Sequence, residues 1–313
     1  MRLLVRDMAR VERALAPLGV DRSVDAVVGD VTDAQTVERA LEGCDGVVHA
    51  AAVFTLDRRR DHEITATNVR ATNVVLGTAR RLGLDPIVHV SSVSALLPPA
   101  GPVLGPDDAP GHPTGVYARS KADAERVARA MQADGAPVVI TYPGAVWGPD
   151  DPTRGDQVQM VINFLKLGVI PVTTGGMPVV DARDLGAVHA ACFERGRGPR
   201  RFMAGGELLS TGRLVEILRA LTGRHLLALP VPAPTMRALG ALGDVVQRIA
   251  PVSLPLTHEA MVTLTGGVPC DNRRTTDELG VTFRPVEETV ADTLGWLRGT
   301  GGLTAREVGR LSR

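Results

Sequence analysis

The sequence predicts an α/β protein built on a doubly wound parallel sheet, and two features of the chain lead to this prediction. Up to about residue 146, short β-rich apolar runs alternate with segments of helical periodicity. The runs are apolar at successive positions, which is typical of strands that helices cover on both faces. Because strand and helix alternate regularly, the strands are expected to be parallel and joined by helical crossovers.

Each element of this first half follows from one of these runs or from the helical segment between two of them. Strands are expected at 2–5, 25–29, 46–50, 87–91 and 138–142. Helices are expected at 8–16, 34–41, 64–81 and 116–133, and Gly135 ends the last of them.

The alternation stops after residue 146, where prolines and glycines become frequent. A strand is expected again at 179–181, and the pattern is mainly helical from residue 209 onward, with a proline-rich connector at 230–234. We therefore expect two units. Residues 1–148, joined by 178–200, form the sheet domain, and residues 149–177 with 201–313 form a smaller C-terminal lobe.

The composition argues against several classes of function. The formal net charge of the 313 residues is zero, so nothing favours a nucleic acid or an anionic membrane as a partner. No apolar run reaches the roughly 18 residues of a membrane-spanning helix. The seven histidines and three cysteines show no metal-ligand spacing, and the widely spaced cysteines are typical of reduced core residues in a cytoplasmic protein.

One pair of rare residues suggests chemistry. The chain has two tyrosines and two lysines, and Tyr117 and Lys121 lie four positions apart within the predicted helix 116–133. Positions i and i+4 share one face of a helix, which places a phenol beside an ammonium group. The ammonium group favours the phenolate, so we expect Lys121 to lower the pKa of Tyr117 toward working pH, as suits a general acid or base.

Together with six other segments, this pair resembles the extended short-chain dehydrogenase/reductase family, in particular its epimerase/dehydratase-like, dihydroflavonol-reductase-like and hydroxysteroid-dehydrogenase-like branch. The resemblance covers nearly the whole chain and depends on the order and spacing of the segments, since each is short. The six segments are Gly29-Asp30-Val31, residues 47–52, Thr67-Asn68-Val69, Val90-Ser91-Ser92, residues 143–149 and residues 180–184.

The resemblance implies a Rossmann-like fold, a nicotinamide cofactor and a set of site residues. The implied catalytic residues are Asn68, Ser92, Tyr117 and Lys121, and the implied cofactor-binding residues are Arg6, Asp30, Val31, Ala50, Ala51, Ala52, Tyr117, Lys121, Pro143 and Val146. No metal is implied. Some of these residues also have a purely structural interpretation, because Asp30 could cap the following helix and Asn68 could be a satisfied buried amide.

The choice between NADP and NAD depends on the residues after the first predicted strand. Arg6 lies where the resemblance places the adenosine ribose, and an arginine there can pair with the 2′-phosphate of NADP. Arg13, two helical turns further on, could assist. Asp7 favours NAD instead, since an acidic residue could accept a hydrogen bond from the 2′-hydroxyl of that cofactor. We expect NADP, with NAD as the alternative.

One part of the family pattern is absent from the sequence. Members normally open with a strand, a glycine-rich turn and a helix that bind the cofactor pyrophosphate, whereas the first glycine here is Gly19. A strand and a helix of roughly thirty residues together are thus expected to be lacking. The neighbours of that central strand would then have no ladder partner. We prefer the explanation that the start site is assigned too far downstream; a short form that binds dinucleotide poorly is the alternative.

Three functions are compatible with the sequence. The first is an NADP-dependent reductase or dehydrogenase acting on a small apolar carbonyl or alcohol, because residues 158–172 are mostly apolar. The second is a nucleotide-sugar epimerase or dehydratase, although no arginine precedes the strand at 179–181 as it does in such members. The third is a non-catalytic dinucleotide sensor. Phe54 and Trp147 line the pocket or belong to the core. The resemblance also implies a homodimer formed through the helix that carries Tyr117.

Overall fold

The computed structural model describes residues 1–20, 24–54, 61–249 and 257–312 and consists of mostly parallel strands flanked by helices. In chain order the strands are β1 Arg2–Val5, β2 Asp25–Val28, β3 Val47–His49, β4 Ile87–Val90, β5 Val138–Pro143, β6 Ala145–Trp147, β7 Val169–Val172, β8 Met177–Asp181, β9 Arg200–Ala204, β10 Glu207–Leu209 and β11 Leu227–Pro230. The α-helices are α1 Met8–Leu15, α2 Ala34–Leu41, α3 Asp61–Arg81, α4 Val116–Ala133, α5 Asp156–Leu167, α6 Ala182–Ala191, α7 Thr211–Thr222, α8 Ala233–Ile249, α9 His258–Gly266, α10 Arg273–Leu279, α11 Val286–Gly299 and α12 Ala305–Val308.

The main sheet has the order β3-β4-β5-β9, and all its neighbouring strands are parallel. Alternate residues of its strands are buried on opposite faces. Ile87 and Val138 pack with α2, α3 and α4, whereas Val88 and Val139 pack with α6 and the segment after α10. Both faces are therefore covered by helices, and the predicted doubly wound α/β class is confirmed.

Strands β1 and β2 form a separate two-stranded parallel sheet. Within the described residues, the free edge of β1 and the free edge of β3 have no ladder partner. Val48 of β3 keeps an exposed side chain. Helix α2 contacts β1, β2 and α3, and Arg70 Nε of α3 donates to the Thr32 carbonyl at 3.2 Å, which fixes this small sheet beside α3.

Two further sheets, β10-β8-β6 and β11-β7, lie beside the C-terminal lobe, and the first of them combines strands from both expected units. The core of the lobe includes Val158, Val161, Ile162 and Leu165 of α5, packed against α7 and α11. The apolar character of 158–172 is therefore explained largely by packing within the lobe. This finding removes most of the support that the segment gave to an apolar substrate.

The predicted boundary between the two units at residue 200 is wrong. Strand β9 starts at Arg200 and pairs with β5 up to Ala204, so residues 201–204 belong to the main sheet. Asn272 strengthens this connection, since its side chain accepts from Gly205 N at 3.0 Å and donates to the Gly206 carbonyl at 2.9 Å. Residues 201–204, which were expected in the C-terminal lobe, are therefore still part of the main sheet.

Helix α8 packs through Met236 against Met261 and Leu264 of α9. Its other side leaves apolar side chains exposed, namely Leu239, Leu242, Val245 and Ile249. Among the described helices, none is both long and apolar enough to cross a membrane.

Candidate active site

Helix α4 places the predicted tyrosine and lysine at the carboxyl end of β4. Lys121 is buried, and its Nζ donates to the carbonyl of Val90, the last residue of β4, at 2.8 Å. Burial lowers the pKa of Lys121 to about 8, against a smaller opposing effect of Glu125. The amine thus keeps two of its three donor positions for other acceptors at this edge of the sheet.

Ser92 follows β4 and approaches the phenol of Tyr117. It begins a 3₁₀ turn at 93–96, where its Oγ accepts from Ser94 N at 3.1 Å. Burial raises the pKa of Tyr117 to about 12, a hydrogen bond with the Ser92 side chain lowers it, and the charge of Glu259 raises it. The two hydroxyl groups therefore lie close enough to share one acceptor or substrate oxygen.

The prediction that Lys121 lowers the pKa of Tyr117 is wrong for this arrangement of side chains. Burial dominates the pKa of the phenol and raises it, and Lys121 is not among the groups that shift it. The physical reason is the direction of the amine, which is hydrogen-bonded to the Val90 carbonyl. Sharing a helix face places the two residues side by side but does not aim one at the other.

Asn68 connects the loop after β3 with the start of α4. The buried amide accepts from Val53 N at 2.7 Å, and its Nδ2 donates to the Val53 carbonyl at 3.1 Å and to Ser120 Oγ at 2.9 Å. Ser120 in turn donates to the Tyr117 carbonyl at 2.7 Å. Asn68 therefore acts on the backbone that carries Tyr117 and Lys121 rather than on either side chain, as a satisfied buried amide does.

Replacing Asn68 with alanine is expected to lower the free energy of unfolding by about 1–3 kcal/mol, because it leaves the buried N–H and carbonyl of Val53 without their partner. It should also reduce turnover, since the first turn of α4 loses its attachment. Urea unfolding measures the first effect. Asn73→Ala on the same helix is the matched control, because that exposed side chain bonds only the Val69 carbonyl. Equal stability losses in the two variants would contradict this role.

Phe54 and Trp147, the two aromatic residues considered for the pocket, differ in exposure and in contacts. Phe54 is 43% exposed, and its ring meets that of Tyr117 edge to face with the centroids 4.7 Å apart. Trp147 is only 3% exposed and belongs to the core of the C-terminal lobe. Phe54 thus stands at the mouth of the site, and Trp147 has a packing role.

His49 and His89 lie on β3 and β4 directly opposite each other, with stacked rings 5.7 Å apart. Burial, and then the charge of Lys121, lowers the pKa of His49 to about 3, and burial likewise moves the pKa of His89 well below its usual value. Both imidazoles are therefore neutral near pH 7. Their burial is that of packed strand residues.

The expected adenosine-side residues follow the small sheet. Arg6 comes directly after β1 and is exposed, and Asp30 comes shortly after β2. Asp30 Oδ1 accepts from Thr32 N at 2.7 Å and from Thr32 Oγ1 at 2.6 Å, which together with Arg6 holds the pKa of this carboxyl below its usual value. Asp30 does not cap α2, because Asp33 does. Val31 is half-buried.

The expected nicotinamide-side residues follow strands near the carboxyl edge of the main sheet. Ala50, Ala51 and Ala52 come directly after β3 and are exposed, so small side chains leave the backbone accessible there. Pro143 ends β5 and is buried, and Val146 in β6 is exposed. Ligands of open α/β sheets bind at this edge.

Three residues that shape the site were missed at the sequence level: Val53, Ser120 and Glu259. Ser120 lies three positions after Tyr117, a spacing that places its hydroxyl within reach of the Tyr117 carbonyl. Val53 acts through its backbone amide, and Glu259 lies 141 positions away from Ala118, the residue that it contacts. No local pattern indicates either of them.

A nicotinamide dinucleotide fits the two ends of this site. Lys121 has donor capacity for ribose hydroxyls, the alanines after β3 allow close approach, and Arg6 presents a guanidinium at the other end. For the pyrophosphate in the middle, the described residues offer no glycine-rich turn between a strand and a helix.

A parallel sheet that presents serine, tyrosine and lysine at its carboxyl edge, the last two on one helix, defines a nicotinamide-dependent enzyme of the short-chain dehydrogenase type. The sequence profile of the NAD dependent epimerase/dehydratase family matches residues 4–205, and the chain belongs to this family.

Similar proteins include both reductases and sugar-nucleotide enzymes. The chain is 28% identical over 289 residues to sterol demethylase protein B of Methylococcus capsulatus, covering 89% of this chain and 86% of that protein. It is 29% identical over 288 residues to dTDP-glucose 4,6-dehydratase of Streptomyces antibioticus, covering 89% and 77%. The crystal structure of gox2253 superposes with a TM-score of 0.76 at 23% identity over 97% of this chain and 99% of that one, which shows the shared fold.

Proposed function

We propose that this chain is an oxidoreductase that transfers a hydride between NADP and a carbonyl or alcohol carbon of a small apolar substrate. One observation carries the proposal. Tyr117 and Lys121 lie one turn apart on α4 at the carboxyl end of β4, where Lys121 Nζ donates to the Val90 carbonyl, Ser92 begins the next turn and the Ser92 side chain lowers the pKa of the phenol. This is the arrangement that proton exchange with a substrate oxygen requires.

The residues divide the chemistry between them. In the direction of reduction, Ser92 donates a hydrogen bond to the substrate oxygen as negative charge develops there. Tyr117 supplies the proton, and a pKa near 12 keeps the phenol protonated at neutral pH, ready to act as the acid. Lys121 binds the nicotinamide ribose through its remaining donors. A bound dinucleotide would supply the hydride, so that the carbonyl, this hydride and the proton from Tyr117 together would give the alcohol.

Two observations support NADP as the cofactor. Arg6 is exposed beyond β1, where it can reach a 2′-phosphate. Asp7, the residue that would favour NAD, is used in the fold, because its Oδ1 accepts from Ala9 N at 2.9 Å as the N-cap of α1. Arg13 donates to the Ala9 carbonyl at 3.3 Å and makes a smaller contribution to the proposed site.

Replacing Arg6 with alanine is expected to weaken NADPH binding about tenfold, the loss of one charge-assisted hydrogen bond of roughly 1.5 kcal/mol. NADH binding should stay unchanged. Fluorescence titration of both dinucleotides measures the dissociation constants, with Arg80→Ala as the control, since that exposed arginine pairs with Asp134 and has no place in the proposed site. An equal loss for NADPH and NADH would argue against the phosphate contact.

An apolar substrate is supported by Phe54, whose exposed ring stands beside the phenol. A relative from Stigmatella aurantiaca, 27% identical over 304 residues and covering 93% of this chain, is 4-hydroxy-2-methyl-3-oxo-4-farnesyl-3,4-dihydroquinoline-1-oxide ketoreductase, a name that describes a ketone with a long apolar chain. A second candidate function, a nucleotide-sugar dehydratase or epimerase, is favoured by the similarity to dTDP-glucose 4,6-dehydratase.

The test is a substrate panel followed by the absorbance of reduced nicotinamide. NADPH consumption with steroid or aryl ketones, and none with UDP- or dTDP-sugars, supports the first function; conversion of the sugars without net NADPH consumption supports the second. Tight dinucleotide binding without turnover of either panel indicates a dinucleotide sensor. We also propose a cytoplasmic homodimer formed through α4 and its neighbour α3, which light scattering tests.

A further inference from the structure

A carboxylate from the C-terminal lobe closes the start of the helix that carries Tyr117. Helix α4 begins after Gly115, which has no side chain with which to cap it. The backbone N–H of Ala118, in the first turn, instead donates to Oε1 of Glu259 at 2.9 Å. The first turn of a helix has N–H groups without intrahelical acceptors, so a residue from another lobe satisfies one of them here.

The contact between Glu259 and the start of α4 leaves no room for a side chain at Gly115. A Cβ added at Gly115 would lie 2.2 Å from the carboxyl carbon of Glu259 and 2.3 Å from its Oε1. The backbone of Gly115 has φ −67°, an ordinary value for any residue, so the restriction comes from the carboxylate and not from the turn. Glu259 therefore lies directly against the helix end.

The helix that carries Glu259 is itself firmly held. Helix α9 starts at Thr257, a buried residue whose Oγ1 accepts from Ala260 N at 3.2 Å. Met261 and Leu264 on its inner face pack against α8. Glu259 thus transmits the position of the C-terminal lobe to the first turn of α4.

Besides capping α4, Glu259 affects the phenol of Tyr117 electrostatically. A carboxylate at a helix N-terminus is favoured by the helix dipole. The same charge acts on Tyr117 and raises its pKa, after the larger effect of burial and against the hydrogen bond with Ser92.

The other ionisable groups near the phenol contribute less. Lys121 lies on the same helix with its amine on the Val90 carbonyl, and His49 and His89 on the strands beneath are kept neutral by burial. Phe54 on the remaining side is uncharged.

We propose that Glu259 is a positioning residue for Tyr117, which fixes the first turn of α4, and with it the phenol, from the second lobe. The catalytic meaning of this contact rests on the proposed function, whereas the contact and its effect on the phenol do not. Glu259→Gln keeps an acceptor for Ala118 N and loses the charge; Glu259→Ala loses both.

The experiment measures the phenol directly. The chain has two tyrosines, so protein labelled with ¹³C at the tyrosine ζ carbon gives two NMR signals, and Tyr117→Phe assigns them. Because the carboxylate raises the pKa of Tyr117, Glu259→Gln should shift its titration to lower pH. Glu194→Gln is the matched control, since Glu194 is an exposed residue paired with Arg197 near the amino end of β9. Identical titrations in Glu259→Gln and Glu194→Gln would overturn the electrostatic part.

The positional part has its own readout. Hydrogen exchange of the Ala118 amide should be faster in Glu259→Ala than in wild type and should be restored in Glu259→Gln. An Ala118 amide that exchanges at one rate in all three proteins would overturn the proposal. In an active enzyme, kcat should fall in Glu259→Ala with KM little changed, and in Glu259→Gln the pH limb of kcat should move to lower pH. If no substrate is turned over, the proposed function fails while the two NMR measurements still decide this inference.

Discussion

Tyr117→Phe is expected to reduce turnover by about 10³-fold or more while leaving the fold intact. A general acid contributes roughly 10²–10⁴ to the rate, and here the phenol is the group in contact with Ser92 that can supply the proton. The phenol makes no other side-chain hydrogen bond among the described residues, and its ring contact with Phe54 is kept by phenylalanine. The measurement is kcat with the best ketone of the panel, together with the urea midpoint.

The chain offers a matched control, because its other tyrosine lies in the core. Tyr142 is fully buried in β5, and Tyr142→Phe removes a phenol oxygen that donates to Glu125. Because the Glu125 carboxylate stays in place, that variant should keep most of its turnover and lose stability. Turnover of Tyr117→Phe close to that of wild type would remove the phenol from the mechanism, even if the fold is as described.

Local sequence patterns were sufficient to predict the helix and the strand that carry the site residues. The helix at 116–133 was predicted with both ends correct, and the strand before Ser92 to within one residue. These predictions depend on periodicity and on glycine as a helix stop, both of which act over a few residues.

Interactions between distant parts of the chain could not be predicted in the same way. Ser120 meets Asn68 across 52 positions, and Glu259 meets Ala118 across 141. The pKa of Tyr117 depends on burial, which a sequence pattern does not measure, and so the expected lowering by Lys121 became a rise. The boundary at residue 200 failed for a similar reason, since only strand pairing assigns β9 to the main sheet.

A second large effect is expected at Glu125, one turn beyond Lys121 on α4. Its side chain is fully buried, and Oε1 accepts from Arg129 Nε at 2.6 Å and from the Tyr142 hydroxyl at 2.5 Å. Glu125→Ala leaves a mostly buried guanidinium without its carboxylate, and removal of one partner of a buried pair costs about 3–5 kcal/mol. Urea unfolding measures this loss in the free energy of unfolding.

The triple variant Glu125→Leu/Arg129→Met/Tyr142→Phe separates the charge from the volume, because it also removes the Tyr142 hydroxyl that bonds both charged side chains. Replacing a buried ion pair by apolar side chains of similar size is often neutral, so the triple variant should recover most of the stability that Glu125→Ala loses. A stability of Glu125→Ala within about 1 kcal/mol of wild type would show that the pair is not desolvated. The carboxylate also raises the pKa of Lys121 against the effect of burial. Its removal should therefore lower that pKa further and leave more of the amine neutral above pH 7, so that the network behind α4 tunes Lys121.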